Sequence, residues 1–243
     1  MDQIFVDKMQ EGLGKLGITL SDHQMEQFYQ YYEMLIEWNK VMNLTAITEL
    51  DEVISKHFID SLALVKAVDL SKNSAPRLID VGTGAGFPGI PLKIAFPELR
   101  VTLLDSLNKR ISFLNEVIAK LDLKNVKTIH GRAEDFGHDS SYREQYDYCV
   151  SRAVANTATL SEYCVPFLKT GGFFIPYKSG KIDEELKQGE KAIKVMGGKL
   201  MKVIRFQLSG ADAERTLIVV KKIEKTGKKY PRKAGMPSKS PII

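Results

Sequence analysis

Five short apolar runs follow one another after Pro76: RLIDV (77–81), RVTLLD (100–105), VKTIH (126–130), YDYCVS (146–151) and GFFIPY (172–177). Helix-length segments separate them at 88–96, 108–121 and 157–168. Strands this apolar, alternating with helices, imply a parallel sheet covered on both faces, because each parallel return needs a crossover that lies against a face. The closing stretch KLMKVIRFQLSGADAERTLIVVKK (199–222) offers two more strands around a polar turn. The expected fold is therefore α/β: a mostly parallel seven-stranded sheet ending in an antiparallel hairpin.

Residues 1–75 read as a helical extension. Ser21 and Gln24 stand at capping-box spacing, so a helix should begin at Asp22. Met25, Phe28, Tyr32, Leu35 and Ile36 then recur at steps of three and four, an apolar stripe along one face. NLTAIT (43–48) breaks the pattern, a further helix spans about 49–68, and the polar SKNSAP (71–76) links it to the sheet. The expected division is 1–75 extension, 76–223 nucleotide-binding domain and 224–243 basic tail.

A chain of 243 residues with 44% hydrophobic content can bury a full core around this sheet. No stretch approaches the roughly 18 unbroken apolar residues of a membrane span. The N-terminus is charged from its second residue, unlike a secretion signal. Cys149 and Cys164 lack metal or disulfide-framework spacing and read as buried free thiols, so the expected compartment is the cytoplasm. The net charge is +5, but residues 221–243 hold eight Lys or Arg against one acid, Glu224. The excess belongs to the tail, a distribution that suits an anionic partner, most simply a nucleic acid.

The first strand runs into DVGTGAGFPGIPL (80–92), which contains two glycine fingerprints. Gly84, Gly86 and Gly89 have the spacing of a dinucleotide turn; Asp80 with Gly82, Gly84 and Gly86 has that of a methyl-donor turn. In either case the ligand sits at the carboxyl ends of the strands, where strand order reverses. Asp105 ends the second strand and can accept from a ribose diol, which both nicotinamide dinucleotide and S-adenosylmethionine carry. Three features favour the methyl donor. Asp80, at the end of an apolar strand, needs a cationic partner and would repel a diphosphate. GRAED (131–135) follows the third strand, placing Ala133 and Glu134 where a backbone N–H and an acid can read an adenine edge. No second domain for a nicotinamide's substrate follows the sheet.

Taken in order, NLTAI, KHFIDSL, LIDVGTGAGFPGIPL, GRAEDF, SRAVA and YPRKAGMPSKSPI resemble the RsmG/GidB family over nearly the whole chain. The resemblance implies a Rossmann-like class I methyltransferase fold with an N-terminal helical extension. It also implies S-adenosylmethionine as donor and a guanine N7 of bacterial 16S ribosomal RNA as target. By motif position, the family's donor contacts fall on Gly82, Phe87, Ala133, Glu134 and Arg152.

The residues suit N7 chemistry. Methyl transfer from a sulfonium is an in-line displacement helped mainly by alignment and electrostatics, and guanine N7 has no proton to lose. The fourth strand is followed by SRAVA (151–155) instead of the Asp/Asn-Pro-Pro-aromatic turn of exocyclic-amine enzymes. Neither cysteine follows a proline, as a cytosine-C5 nucleophile does. Arg152 needs no acid–base role; it can contact the donor carboxylate or a phosphate. His57, Asp60 and Ser61 share one face of an α-helix and superficially suggest a hydrolase. Consecutive helical turns rarely assemble a working triad, so His57 and Asp60 are substrate-side candidates instead. Lys178 and Lys181, with Lys228, Lys229, Tyr230, Arg232 and Lys233 of the tail, are candidate RNA contacts. The expected partner is 16S ribosomal RNA or the small subunit, met by a monomer away from any membrane. The alternative is a methyltransferase acting on a small molecule or protein.

Overall fold

The structure, a computed structural model, describes residues 2–70, 74–180, 182–208 and 214–243. Lys181, the first half of the SKNSAP linker (71–73) and the tip of the terminal hairpin (209–213) lie outside the described residues.

The strands fall where the apolar runs place them: β1 Arg77–Val81, β2 Arg100–Asp105, β3 Val126–His130, β4 Tyr146–Arg152 and β5 Leu168–Ser179, then β6 Gly198–Gln207 and β7 Glu214–Lys222. They form one sheet in the order β3-β2-β1-β4-β5-β7-β6. The first five are parallel, and β7 runs antiparallel between β5 and β6. Strand order reverses between β1 and β4, the position where ligands bind in doubly wound sheets.

Before the sheet come α1 (Gln3–Leu16), α2 (Asp22–Met42), and a continuous helical stretch of changing pitch. That stretch is α3 (Leu50–Val53), a π-helix (Ile54–Ile59), α4 (Asp60–Leu62) and a 3₁₀ turn (Ala63–Lys66). Within the sheet region are α5 (Gly89–Ala95), α6 (Asn108–Lys120), α7 (Ala133–Phe136), α8 (Thr157–Cys164) and α9 (Asp183–Val195). A short α10 (Met236–Lys239) lies in the tail. α9 opens with Asp183, Glu184 and Glu185 and ends near Lys194, charges that oppose the helix dipole at both ends.

The capping box forms as expected: Ser21 Oγ accepts from Gln24 N–H, while Ser21 N–H donates to the Gln24 side chain. The buried stripe of α2 is Met25, Phe28, Tyr31 and Leu35. Tyr31 is fully buried, whereas the expected Tyr32 packs half-buried against the edge of the same core. α2 also docks through amides. Gln24 donates to the carbonyl of Ile94 (2.7 Å) and Gln27 to that of Leu121 (2.7 Å), satisfying carbonyls at the ends of α5 and α6. The core on this face runs unbroken from Phe5, Phe28 and Phe58 into Leu78, Leu103 and Val150 of the sheet. The N-terminal helices therefore share their core with the sheet. Alternate strand residues, Ile79, Leu104, Cys149 and Phe174, fill the opposite face under α8 and α9. Both cysteines are free and buried.

Candidate functional site

The glycine turn is held by its own strands. Gly82 and Thr83 both donate to the Leu104 carbonyl (2.8 and 3.1 Å), and Gly84 N–H donates to Asp105 Oδ2 (2.9 Å). Gly82, Gly84 and Gly86 all have positive φ, at 72°, 63° and 101°. A Cβ on Gly84 would meet open space, whereas one on Gly82 would lie 2.5 Å from Val154 Cγ2. Gly82 thus permits contact with the loop after β4, and Gly84 presents bare backbone to open space.

Asp80 lies beneath this turn, wholly buried. Its Oδ2 accepts from Thr83 Oγ1 (2.7 Å) and from the backbone of Gly89 (2.8 Å) at the start of α5. A diphosphate would need the free N–H groups of that helix N-terminus. They are absent or engaged: Pro88 and Pro91 have none, Gly89 serves Asp80, and Ile90 N–H donates to Gly86 O (2.7 Å). The helix already holds an acid of its own. Gly89 answers to the dinucleotide spacing, but its role here is packing, since a Cβ there would stand 2.4 Å from Leu103. Asp80 Oδ1 is the one buried side-chain polar atom without a partner among the described residues, an acceptor that fits an ammonium or a water held by one. Burial pushes the Asp80 carboxyl up to about 7, against the pull of Thr83, Gly89 and Arg152.

Two crevices open at the carboxyl ends of the strands. One, of about 270 Å³, lies over β1, β2 and β3 and is lined by Gly82, Asp105, Ala133, Glu134, Tyr163 and Ser238 among others. The other, about 440 Å³, lies over β4 and β5 beside the π-helix and is lined by His57, Asp60, Arg152, Tyr177, Lys178 and Arg215 among others. The SRAVA loop divides them, with Arg152 and Ala153 facing the larger and Val154 and Ala155 the smaller. Asp105 spends Oδ1 on Leu107 N–H (2.9 Å) and Oδ2 on Gly84 N–H and Arg110 (3.3 Å). Of its roughly four acceptor positions, one on Oδ1 is left for a ribose hydroxyl.

In the larger crevice the π-helix sets the geometry. His57 and Asp60 come together with Arg152, as their shared helical face predicts, but Ser61 turns into the core. Its hydroxyl donates to the His57 carbonyl (2.5 Å), which rules out a triad. Asp60 is 2% exposed and lies between two guanidiniums, with Arg152 at 2.9 Å from Oδ2 and Arg215 at 3.2 Å from Oδ1. Arg152 also donates to the Lys56 carbonyl (3.0 Å) and reaches His57 Nδ1 (3.2 Å). A guanidinium only donates, so Nδ1 accepts, and the ring proton sits on Nε2, 2.9 Å from Thr45 Oγ1. Burial, then Arg152, lowers the His57 pKa to about 3, so the ring is neutral in the physiological range. The buried Phe87 ring packs on both partners of this contact, stacked on the His57 ring at 4.4 Å with the Arg152 guanidinium 5.1 Å from its centroid. The arrangement positions groups and supplies positive charge. Among the described residues it holds no side chain poised to remove a proton.

A family profile described as "GidB: rRNA small subunit methyltransferase G" matches residues 24–218. A relative from Lachnoclostridium phytofermentans, named ribosomal RNA small subunit methyltransferase G, is 57% identical over 233 residues, covering 96% of each chain. The chain belongs to the GidB family. Solved structures agree on the fold. Thermus thermophilus TrmN matches 70% of this chain and 53% of its own at TM-score 0.52 and 16% identity. M. jannaschii TYW2 in complex with AdoMet matches 63% and 72% at TM-score 0.50 and 17% identity.

The basic tail of this GidB-family member is folded against its body. Arg143 forks to the carbonyls of Thr226 (2.7 Å) and Tyr230 (2.8 Å), and His138 Nε2 meets the Pro231 carbonyl at 2.6 Å. Arg232 is committed to Glu162, which accepts from its backbone N–H (2.6 Å), from Nε (3.0 Å) and from the guanidinium terminus (2.7 Å). Tyr230 is half-buried, while Lys228, Lys229 and Lys233 are exposed. Lys178 is also internally engaged, by Glu185 and the Ala155 carbonyl, each at 2.6 Å. Sequence reasoning missed Arg215, Thr45 and Tyr31. Arg215 carries the one readable signal: an antiparallel β7 must begin where parallel β5 ends, and Ser179 pairs with Arg215 at that edge. Thr45 braces His57 from inside NLTAIT, a contact no local pattern reveals.

Proposed function

We propose that this chain transfers the methyl group of S-adenosylmethionine to N7 of a guanine in 16S ribosomal RNA. The donor occupies the smaller crevice and the target base the larger one. The observation that carries the donor reading is the occupied helix N-terminus: Asp80 already takes the Gly89 N–H, leaving no anion site for a dinucleotide. Asp105 would accept from a ribose hydroxyl, Ala133 and Glu134 would read the adenine, and Gly82 and Gly84 would let backbone lie along the methionine part; Gly86 instead packs against Tyr31, Ile90 and Leu114. Asp80 Oδ1 would receive the donor's ammonium, directly or through water. The donor supplies an electrophilic methyl; the protein's share is alignment and charge.

For the acceptor, Arg152 and Arg215 hold positive charge at the mouth of the larger crevice, suited to a phosphate or to guanine O6. Neutral His57 and Phe87, stacked on each other, fix the Arg152 guanidinium through a hydrogen bond and a ring contact. No base is called for, in keeping with a histidine whose pKa is near 3. Lys228, Lys229 and Lys233 remain available for phosphate contact, whereas Arg232 and Lys178 serve the protein's own acids. We take residues 76–223 as the domain that binds the donor, completed by His57 and Asp60 before it and Ser238 after it, and a cytoplasmic monomer as the working form. The test is incubation with methyl-labelled donor and naked rRNA, small subunits or total protein. Label recovered as 7-methylguanine from 16S RNA is expected; label confined to protein or small molecules would refute the reading.

A further inference from the structure

The tail reaches the smaller crevice. Glu134 is 4% exposed, and the one hydrogen bond its side chain makes among the described residues comes from the backbone N–H of Gly235, at 2.7 Å from Oε1. Gly235 sits at φ 82°, ψ −14°, a left-handed conformation that costs glycine little and any other residue more. Three residues on, Ser238 lines the same crevice as Asp105 and Tyr163. This segment is fixed at several points. Arg232 is forked to Glu162, itself 1% exposed, and Thr159 Oγ1 donates to the Pro237 carbonyl (3.1 Å).

We propose that residues 235–238 are a structural part of the donor site: Gly235 orients Glu134, and Ser238 completes the wall around the adenine end of the donor. The proposal rests on the donor reading above and adds to it a segment that composition assigns to RNA. The physical ground is the low exposure of Glu134. A carboxylate so placed is held in one rotamer only if it is hydrogen-bonded, and the donor to that bond is carried by the tail. Donor binding and tail docking are then linked, each strengthening the other. Gly235 and Ser238 are positioning residues; they take no part in bond making.

The experiment titrates S-adenosylhomocysteine into the full chain and into Gly235→Ala and Arg232→Met, with melting temperatures recorded and KM measured for donor and RNA. Gly235→Ala removes no charge, so lost phosphate contact cannot account for its effect. Both variants are expected to bind about tenfold more weakly, the scale of one hydrogen bond to a charged group. KM for donor should rise while that for RNA stays within about twofold. In the wild-type chain, saturating S-adenosylhomocysteine should slow tryptic cleavage after Lys233 and Lys239 about tenfold, as a linked equilibrium requires. Unchanged donor affinity in Gly235→Ala, together with unprotected cleavage in the wild type, would overturn the proposal and leave the donor reading standing. A raised RNA KM with unchanged donor affinity would return the tail to RNA binding. Failure of the wild-type chain to bind S-adenosylhomocysteine at all would remove both.

Discussion

Donor binding should be coupled to a proton on Asp80. Burial raises this carboxyl from its ordinary 3.8 to about 7, and its Oδ1 has no partner in the protein. An ammonium placed there favours the ionised form, so binding must expel whatever proton the site holds. At pH 7 about half of the unliganded molecules carry that proton, and about nine-tenths do at pH 6. Binding of S-adenosylhomocysteine should therefore release about 0.5 proton at pH 7 and nearly one at pH 6. If the bound carboxylate stays ionised, affinity falls about fivefold from pH 7 to 6 and roughly tenfold over the next unit. Titration calorimetry in two buffers of different ionisation enthalpy reads the proton count directly. The ligand's amino group stays largely protonated over this range. Asp80→Asn should bind weakly, with no proton release and a flat pH dependence. The same group acts on folding with the opposite sense of charge. Its folded pKa is raised, so the stabilisation is full below pH 3.8 and is lost as pH rises through 7, by about 4 kcal/mol at most. Proton release absent from the wild type between pH 6 and 7, or unchanged in Asp80→Asn, would refute the reasoning.

Arg152→Ala should lower turnover at least tenfold with the fold intact, because Arg215 still neutralises Asp60; wild-type kinetics and donor affinity in that variant would remove Arg152 from the site. Arg215→Ala should raise KM for RNA and leave S-adenosylhomocysteine affinity unchanged by calorimetry, since Arg215 lines the larger crevice only. Gly82→Ala combines a φ of 72° with a Cβ 2.5 Å from Val154, so it should cost about 1–3 kcal/mol in denaturant melts and weaken donor binding more than tenfold. Lys222 is fully buried, its amine donating to the carbonyls of Val165 and Met196, and burial lowers its pKa to about 8. The unfolded chain then holds more protons than the folded one between about pH 8 and 10.5, so stability should rise across that window by about 3 kcal/mol. Lys222→Met should abolish the rise in thermal melts.

The legible parts were those governed by local periodicity. Five strand positions, the capping box at Ser21 and the positive-φ glycines follow from apolar runs, side-chain spacing and the freedom of glycine, all of which act within a few residues. The family resemblance likewise rested on contiguous motifs, and the profile match bears it out. Charge was legible as composition only. Eight basic residues in the tail suggested an RNA arm, yet Arg232 is spent on Glu162 and Lys222 lies inside the core. A sequence records that a charge exists, while its partner, here 70 positions away, is set by packing.

By itself the sequence determined the α/β class, the glycine turn with its acid, and the family. These are encoded by neighbours in the chain. Tertiary structure alone decided that Asp80 spends Oδ2 on the helix N-terminus and leaves Oδ1 unpartnered, and that a π-turn joins His57 and Asp60 to Arg152. It alone also brought Arg215 to Asp60 on an antiparallel strand and carried the tail to Glu134. Each of those contacts closes a long loop between buried polar groups. Its geometry exists only once the core has excluded water and left each such group to find its partner within the protein.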